Sequence, residues 1–250
     1  TRVLQDLQEV GAPPSIHAQL DRLLQLDAED HALRVVAAQW ALLNSEPSRA
    51  LEILDGVSAD DPNGATSIAI TRIEAMERSG LFALAQAQLD ALGPAEPGYW
   101  GLKVVLARGR LALAGGAVQR ASGLFRKAAD WAHDLSDPTL ASQCLNNLGV
   151  IYAKQNETAV AHQALTTALE RSKQRCPREE ARSRINLGQL EAKQKRYPEA
   201  QDHLHRAWLL ARDCSWREGA AWARASLDRL EARQAASAAP HLNDGTEPNA

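Results

Sequence analysis

The sequence predicts an all-α chain of stacked helical hairpins, a solenoid, and three observations carry that expectation. Composition is the first. The 250 residues include 46 Ala and 34 Leu against 10 Val and 7 Ile, so the apolar content sits in strong helix formers and not in the β-branched residues that favour strands. With two Phe and three Tyr, the chain lacks the aromatics that fill one large core, so many small contacts must replace it. The second is a repeat: Leu148, Gly149, Ala161, Leu165 and Ala168 recur 39 residues later as Leu187, Gly188, Ala200, Leu204 and Ala207. The third is punctuation. Asp61-Pro62, Gly93-Pro94, Asp137-Pro138 and Cys176-Pro177 fall where a second helix ends, and Pro47 and Pro198 suit the first turn of one.

These signals place the elements in order. Residues 1–27 read as a degenerate opening hairpin, with short helices over 2–10 and 14–26 broken by Gly11-Ala12-Pro13-Pro14. Repeats occupy residues 28–214, with first helices near 30–44, 64–79, 98–114, 139–154 and 178–194, each followed by a partner. In the partners, Ala50, Leu54 and Val57, then Ala85, Leu89 and Leu92, then Ala121, Phe125 and Ala128 carry the spacing of Ala161, Leu165 and Ala168 backwards. Gly149 and Gly188 sit where two helices cross, and a missing side chain there lets the backbones approach. Residues 215–234 form a capping helix whose Trp216, Trp222 and Leu230 cover the last repeat. From Ala235 the periodicity stops, and residues 235–250 are expected to be disordered.

The run Leu145-Asn146-Asn147-Leu148-Gly149-Val150-Ile151-Tyr152, followed by Ala161, Leu165 and Ala168, resembles the tetratricopeptide repeat, with its pattern L-x-x-L-G-x-x-Y, then A-x-x-x-F, then A. The resemblance implies a right-handed superhelical solenoid of about five antiparallel helix hairpins, whose first helices line a concave groove. The 39-residue period, with second helices ending in forms such as Leu135-Ser136-Asp137-Pro138, is similar to the repeats of bacterial signal-transduction ATPases and transcriptional activators of the maltose-regulator type. That similarity implies the sensing or interaction domain of a larger bacterial signalling or transcription-regulatory protein, and a chain starting at Thr1 fits an excised piece of one. The alternative is a periplasmic or membrane-associated scaffold for assembly of an export or pilus machine.

Signals for chemistry are absent. His203 and His205 point to different helix faces, so no metal site is expected. Neither GxxxxGK[ST] nor GxGxxG nor a GxSxG elbow occurs, so no catalytic residue and no cofactor is expected. No stretch approaches the length of a transmembrane helix. Cys144, Cys176 and Cys214 form no CxxC pair and read as reduced thiols, which suits a cytoplasmic protein, with the periplasm as the alternative. Trp40, Trp131 and Trp208 are expected to fill gaps between alanine-rich helices, and Trp100 to be more exposed.

Charge and face patterning point to a partner instead. Residues 1–100 carry 6 basic and 15 acidic side chains, whereas residues 101–234 carry 22 and 14. The basic residues are interleaved with acids and lack a recognition motif, which argues against nucleic acid, while the split allows head-to-tail self-association. Beside the packing stripe of Leu145, Leu148 and Tyr152, a second stripe of Gln143, Asn147, Val150 and Lys154 runs along the helix; Arg182, Asn186, Gln189 and Lys193 reproduce it 39 residues on. An Asn amide both donates and accepts, so it can grip the backbone of a protein segment or extended peptide whatever its sequence. Lys103 and Arg110 share the face, so an acidic or carboxylate-ended ligand is expected. The family's carboxylate-clamp version is matched in part, by Asn147 and Arg182, while Leu106 stands where that version has a lysine.

Overall fold

Proline in the first helical turn, a capping aspartate before it and small residues at the crossing points are enough to start a helix and dock it on its neighbour. The computed structural model describes residues 15–27 and 29–238, which form a succession of such helices with no strand among them. Helix α1 (Ser15–Leu26) precedes five hairpins: α2 (His31–Leu43) with α3 (Pro47–Ile53), α4 (Pro62–Arg78) with α5 (Phe82–Ala91), α6 (Tyr99–Ala114) with α7 (Val118–Asp134), α8 (Pro138–Lys154) with α9 (Thr158–Ser172), and α10 (Pro177–Lys193) with α11 (Tyr197–Asp213). Helix α12 (Arg217–Ala238) follows the last hairpin. The first helices begin 31, 37, 39 and 39 residues apart, so the 39-residue period holds only towards the C-terminal end. The expected helix over 2–10 and residues 239–250 of the expected tail lie outside the described residues.

Each turn inside a hairpin closes in one way. Ser45, Gly80, Gly116, Asn156 and Lys195 all adopt positive φ, between 63° and 78°, two residues before the second helix. The next residue then donates its N–H to the carbonyl five positions back, as in Glu46 to Ala41 and Arg196 to Glu191, satisfying carbonyls the helix end leaves open. Between hairpins the aspartates act forwards. Asp61 and Asp137, expected to close the preceding helix, instead accept hydrogen bonds from the Gly64 and Leu140 N–H groups, 2.7 and 3.0 Å away, and cap the helix that follows.

Packing within a hairpin rests on a glycine set against a large side chain. A Cβ on Gly149 would stand 2.5 Å from Leu165 Cγ, one on Gly188 2.7 Å from Leu204 Cγ, and one on Gly109 2.7 Å from the Phe125 ring. In all three the large residue lies 16 positions after the glycine, so it is one contact repeated. The apolar core is a row of clusters between successive helices, such as Leu102, Phe125, Cys144 and Ile151 in the middle and Ile185, Leu204, Trp216 and Leu227 near the end. Helix α12 buries Leu230 and Leu227 against α11, and Trp216 just before it is buried too. Trp222 does not join them and is 37% exposed, because six residues on a helix carry it to a different face.

The glycines give substitutions of opposite sign. Gly149→Ala is expected to destabilise, since overpacking costs about 1–3 kcal/mol and outweighs the gain in helix propensity. Gly123→Ala in α7, where an added Cβ meets nothing within 4 Å, is expected to stabilise by about 0.5–1 kcal/mol. Urea unfolding of the two variants reads the difference. At the last turn Lys195→Gly, relieving a left-handed residue with a Cβ, is expected to raise stability by about 1 kcal/mol in the same assay.

Candidate functional site

The inner surface of the stack is made almost wholly by first helices, and a cavity of about 460 Å³ lies against it, within the size range of ligand pockets. Its lining crosses the helices diagonally. On α2 it touches Gln39, Leu42 and Leu43 near the C-terminal end, and on α4 Ile70, Glu74, Glu77 and Arg78. On α6 it runs from Tyr99 and Lys103 to Arg110 and Leu111. On α8 it touches Gln143, and on α10 Arg178, Glu179 and Arg182, all near the N-terminal end, with Glu218 of α12 beyond. Only Phe82 of α5 belongs to a second helix.

The diagonal path divides the ten residues of the expected binding face. Lys103, Arg110, Gln143 and Arg182 line the cavity; Asn147, Val150, Lys154, Asn186, Gln189 and Lys193 do not. Several are held by neighbouring hairpins. Lys193 donates to the Ala153 carbonyl at 3.0 Å and to Asn156 Oδ1 at 2.8 Å, and Gln189 donates to Ser226 Oγ of α12 at 3.0 Å. Asn186, only 7% exposed, donates to Asn146 Oδ1 at 3.2 Å, and Asn146 donates to Ser183 at 2.9 Å, so this amide pair joins α8 to α10. Asn147 is half-buried, one turn beyond Gln143 on the same face of α8, and has no hydrogen-bond partner among the described residues. Lys154 is exposed and Val150 half-buried.

Charge in the cavity is mixed, with Arg78, Lys103, Arg110, Arg178 and Arg182 facing Glu74, Glu77, Glu179 and Glu218. Arg110 donates from Nε and Nη2 to Glu77 Oε2 at 2.9 and 2.6 Å, leaving Glu77 Oε1 buried without a hydrogen bond. Burial raises the pKa of Glu77 against the pull of Arg110. Burial also opposes ionisation of Glu74, but Arg78, Arg110 and Lys103 together overcome it and bring that carboxyl from 4.5 to about 2. Arg178 is brought down to about 10, first by burial and then by Arg78 and Arg182.

Sequence reasoning missed Glu74, Glu77, Arg78, Phe82, Arg178, Glu179 and Glu218. One available signal was Arg178 in the first turn of α10, where the helix dipole disfavours a cation. Another was the cluster of Glu74, Glu77 and Arg78 in the last two turns of α4. Burial pushes the Cys144 thiol up to about 12, and among the described residues no group of His, Cys, Asp and Glu is placed to hold a metal ion. No helix among the described residues is long and apolar enough to cross a membrane.

Residues 142–178 and 181–213, covering most of the last two hairpins, match the tetratricopeptide repeat family model. Among solved structures the fold is similar to one in the APC/C hetero-tetramer Cut9-Hcn1, with a TM-score of 0.66 at 20% identity over 83% of this chain and 39% of that one. It is also similar to yeast Tom70, with a TM-score of 0.57 at 17% identity over 92% of this chain and 46% of that one. The chain thus spans less than half the length of either protein, and at such identity the likeness establishes the fold. No curated protein matches the sequence. The described residues form a helical repeat solenoid, and residues 142–178 and 181–213 carry the likeness to the tetratricopeptide repeat.

The cavity charges give stability an acid limb. An unfolded Glu74 protonates near 4.5 and the folded one only near 2, so the stability it contributes is complete above 4.5 and is lost as pH falls through that window. Glu74→Gln is expected to flatten this part of the stability–pH curve in urea unfolding at a series of pH values.

Proposed function

We propose that the chain binds an extended segment of a partner protein, or a peptide, along this concave groove, as the interaction domain of a larger signalling or transcription-regulatory protein. The observation that carries the reading is that one continuous cavity is lined by the first helices of all five hairpins, so a single ligand touches every repeat. Asn147, outside the cavity lining but one turn beyond Gln143 on the same face of α8, extends the path, because its amide keeps both donor and acceptor for a ligand backbone where Asn186 has given its donor to Asn146. Five cations against four carboxylates make the groove slightly basic, which suits a ligand carrying an acidic group. The larger regulatory setting rests on the 39-residue spacing of the last three first helices. Cys144, Cys176 and Cys214 are not joined by a disulfide, which suits a reducing compartment such as the cytoplasm.

The two asparagines separate ligand binding from folding. For a peptide selected from an array on the intact chain, Asn147→Ala is expected to weaken binding by about 1–3 kcal/mol with unchanged thermal melting. Asn186→Ala is expected to lower the melting temperature, because it strands Asn146 in the interface between α8 and α10. Full affinity retained in Asn147→Ala, read by calorimetry, would sink the groove reading.

A further inference from the structure

Both oxygens of a buried carboxylate need donors, because water no longer supplies them. Glu179, in the first turn of α10, stands in the cavity wall and is 4% exposed. One of its oxygens accepts a hydrogen bond from Gln143 Nε2 of α8 at 3.1 Å. The other, Oε2, is buried and accepts none. Arg182, also in the cavity wall, places Nε 3.6 Å from that oxygen, which is too far for a hydrogen bond, and Nε donates to nothing else. An acceptor and a donor therefore lie next to each other, both buried and both unused.

Other ion pairs of the cavity are closed by hydrogen bonds. Arg110 donates twice to Glu77, and Arg78 donates to Glu74 at 2.8 Å. The open pair is held from outside as well. Gln143 fixes Glu179, and the Arg182 guanidinium carbon lies 5.3 Å from the centre of the Trp216 ring. The Arg182 side chain is 31% exposed, so it has room to turn and admit a group from the cavity.

The two unused atoms restrict what that group is. A carboxylate would accept from Arg182 Nε but has no hydrogen for Glu179 Oε2 and repels its charge. An ammonium or guanidinium group would serve Glu179 and repel Arg182. A hydroxyl does both from one atom, and would have to bend its hydrogen bonds to span 3.6 Å. A carboxamide carries an acceptor and a donor on neighbouring atoms of one plane, so its oxygen meets Nε while its N–H meets Oε2. Both bonds then have a charged partner and are the stronger for it.

We propose that Glu179 and Arg182 form a pocket in the groove for a carboxamide side chain, that of Gln or Asn, on the bound segment. This rests on the peptide-binding reading above and adds the side chain that the segment carries where it passes α10.

The test uses three capped peptides, acetyl-Leu-Gln-Leu, acetyl-Leu-Glu-Leu and acetyl-Leu-Met-Leu, each as the N-methylamide, so that the Gln side chain is the one primary carboxamide. Binding is read from the indole N–H signal of Trp216 in nitrogen-15 correlation spectra, assigned by its loss in Trp216→Phe. The Gln peptide is expected to shift that signal saturably and to bind about tenfold or more tightly than the Glu and Met peptides, which each leave a buried polar atom unpaired. In Glu179→Gln the wall oxygen becomes an amide NH2 beside Arg182 Nε, two donors in place of an acceptor and a donor. The preference is then expected to pass to the Glu peptide, a reversal that loss of packing alone would not produce. Arg182→Leu is expected to bring the Gln peptide down to the Met peptide. Thermal melts check that each variant is folded, and the comparison of the three peptides on the unmodified chain stands even if a variant does not fold. The proposal is overturned if the unmodified chain binds the Glu or Met peptide as tightly as the Gln peptide, or if none gives a saturable shift. In those cases an array peptide whose affinity still falls in Asn147→Ala leaves the groove reading standing.

Discussion

The close approach of two helix backbones inside each of the last three hairpins is the contact on which the rest of the molecule depends. It is made by a missing side chain. Gly109, Gly149 and Gly188 each leave the space that Phe125, Leu165 or Leu204 fills, and alanines at Ala121, Ala161 and Ala200 start the facing helix. With the hairpins this thin, the chain replaces one large core by a row of small ones, and first helices come to lie side by side on a single inner surface. A Cβ at any of the three glycines would part the helices whose spacing sets how that surface curves.

Curvature in turn decides the electrostatics of the groove. Arg78 comes from a hairpin far in sequence from the one that carries Arg178 and Arg182, and no local interaction requires it to meet them. They are brought together because the stack bends until α4 faces the start of α12. Burial in that bend lowers the pKa of Arg178, while the cations around Glu74 hold it ionised well below its ordinary range. The stack tolerates this crowding of like charge because Trp216 and Glu179 share it.

Much of the hairpin layout was legible in the sequence. The five first helices start within two residues of the positions that proline, aspartate and the 39-residue offsets indicate. What could not be read was the left-handed residue of each turn: glycine marks it at Gly80 and Gly116, but Ser45, Asn156 and Lys195 hold the same conformation because the five-residue hydrogen bond forces it. The expected binding stripe was half legible. Aligning Asn147 with Asn186 is right along the chain, yet in space Asn186 meets Asn146, because bonds between hairpins join neighbouring helices and not equivalent positions.

By itself the sequence determined the unit: helices started by Pro62, Pro138 and Pro177, crossing points cleared by Gly149 and Gly188, and five hairpins in series. These are interactions within a few residues or within one hairpin, and their signals are carried by the residues that make them. Only the tertiary structure decided where the groove runs, which of its charges are already paired, and that Arg78 closes on Glu218 across 140 residues of chain. Those features come from small rotations between hairpins added over the whole stack, and a rotation of that kind leaves no mark at any one position.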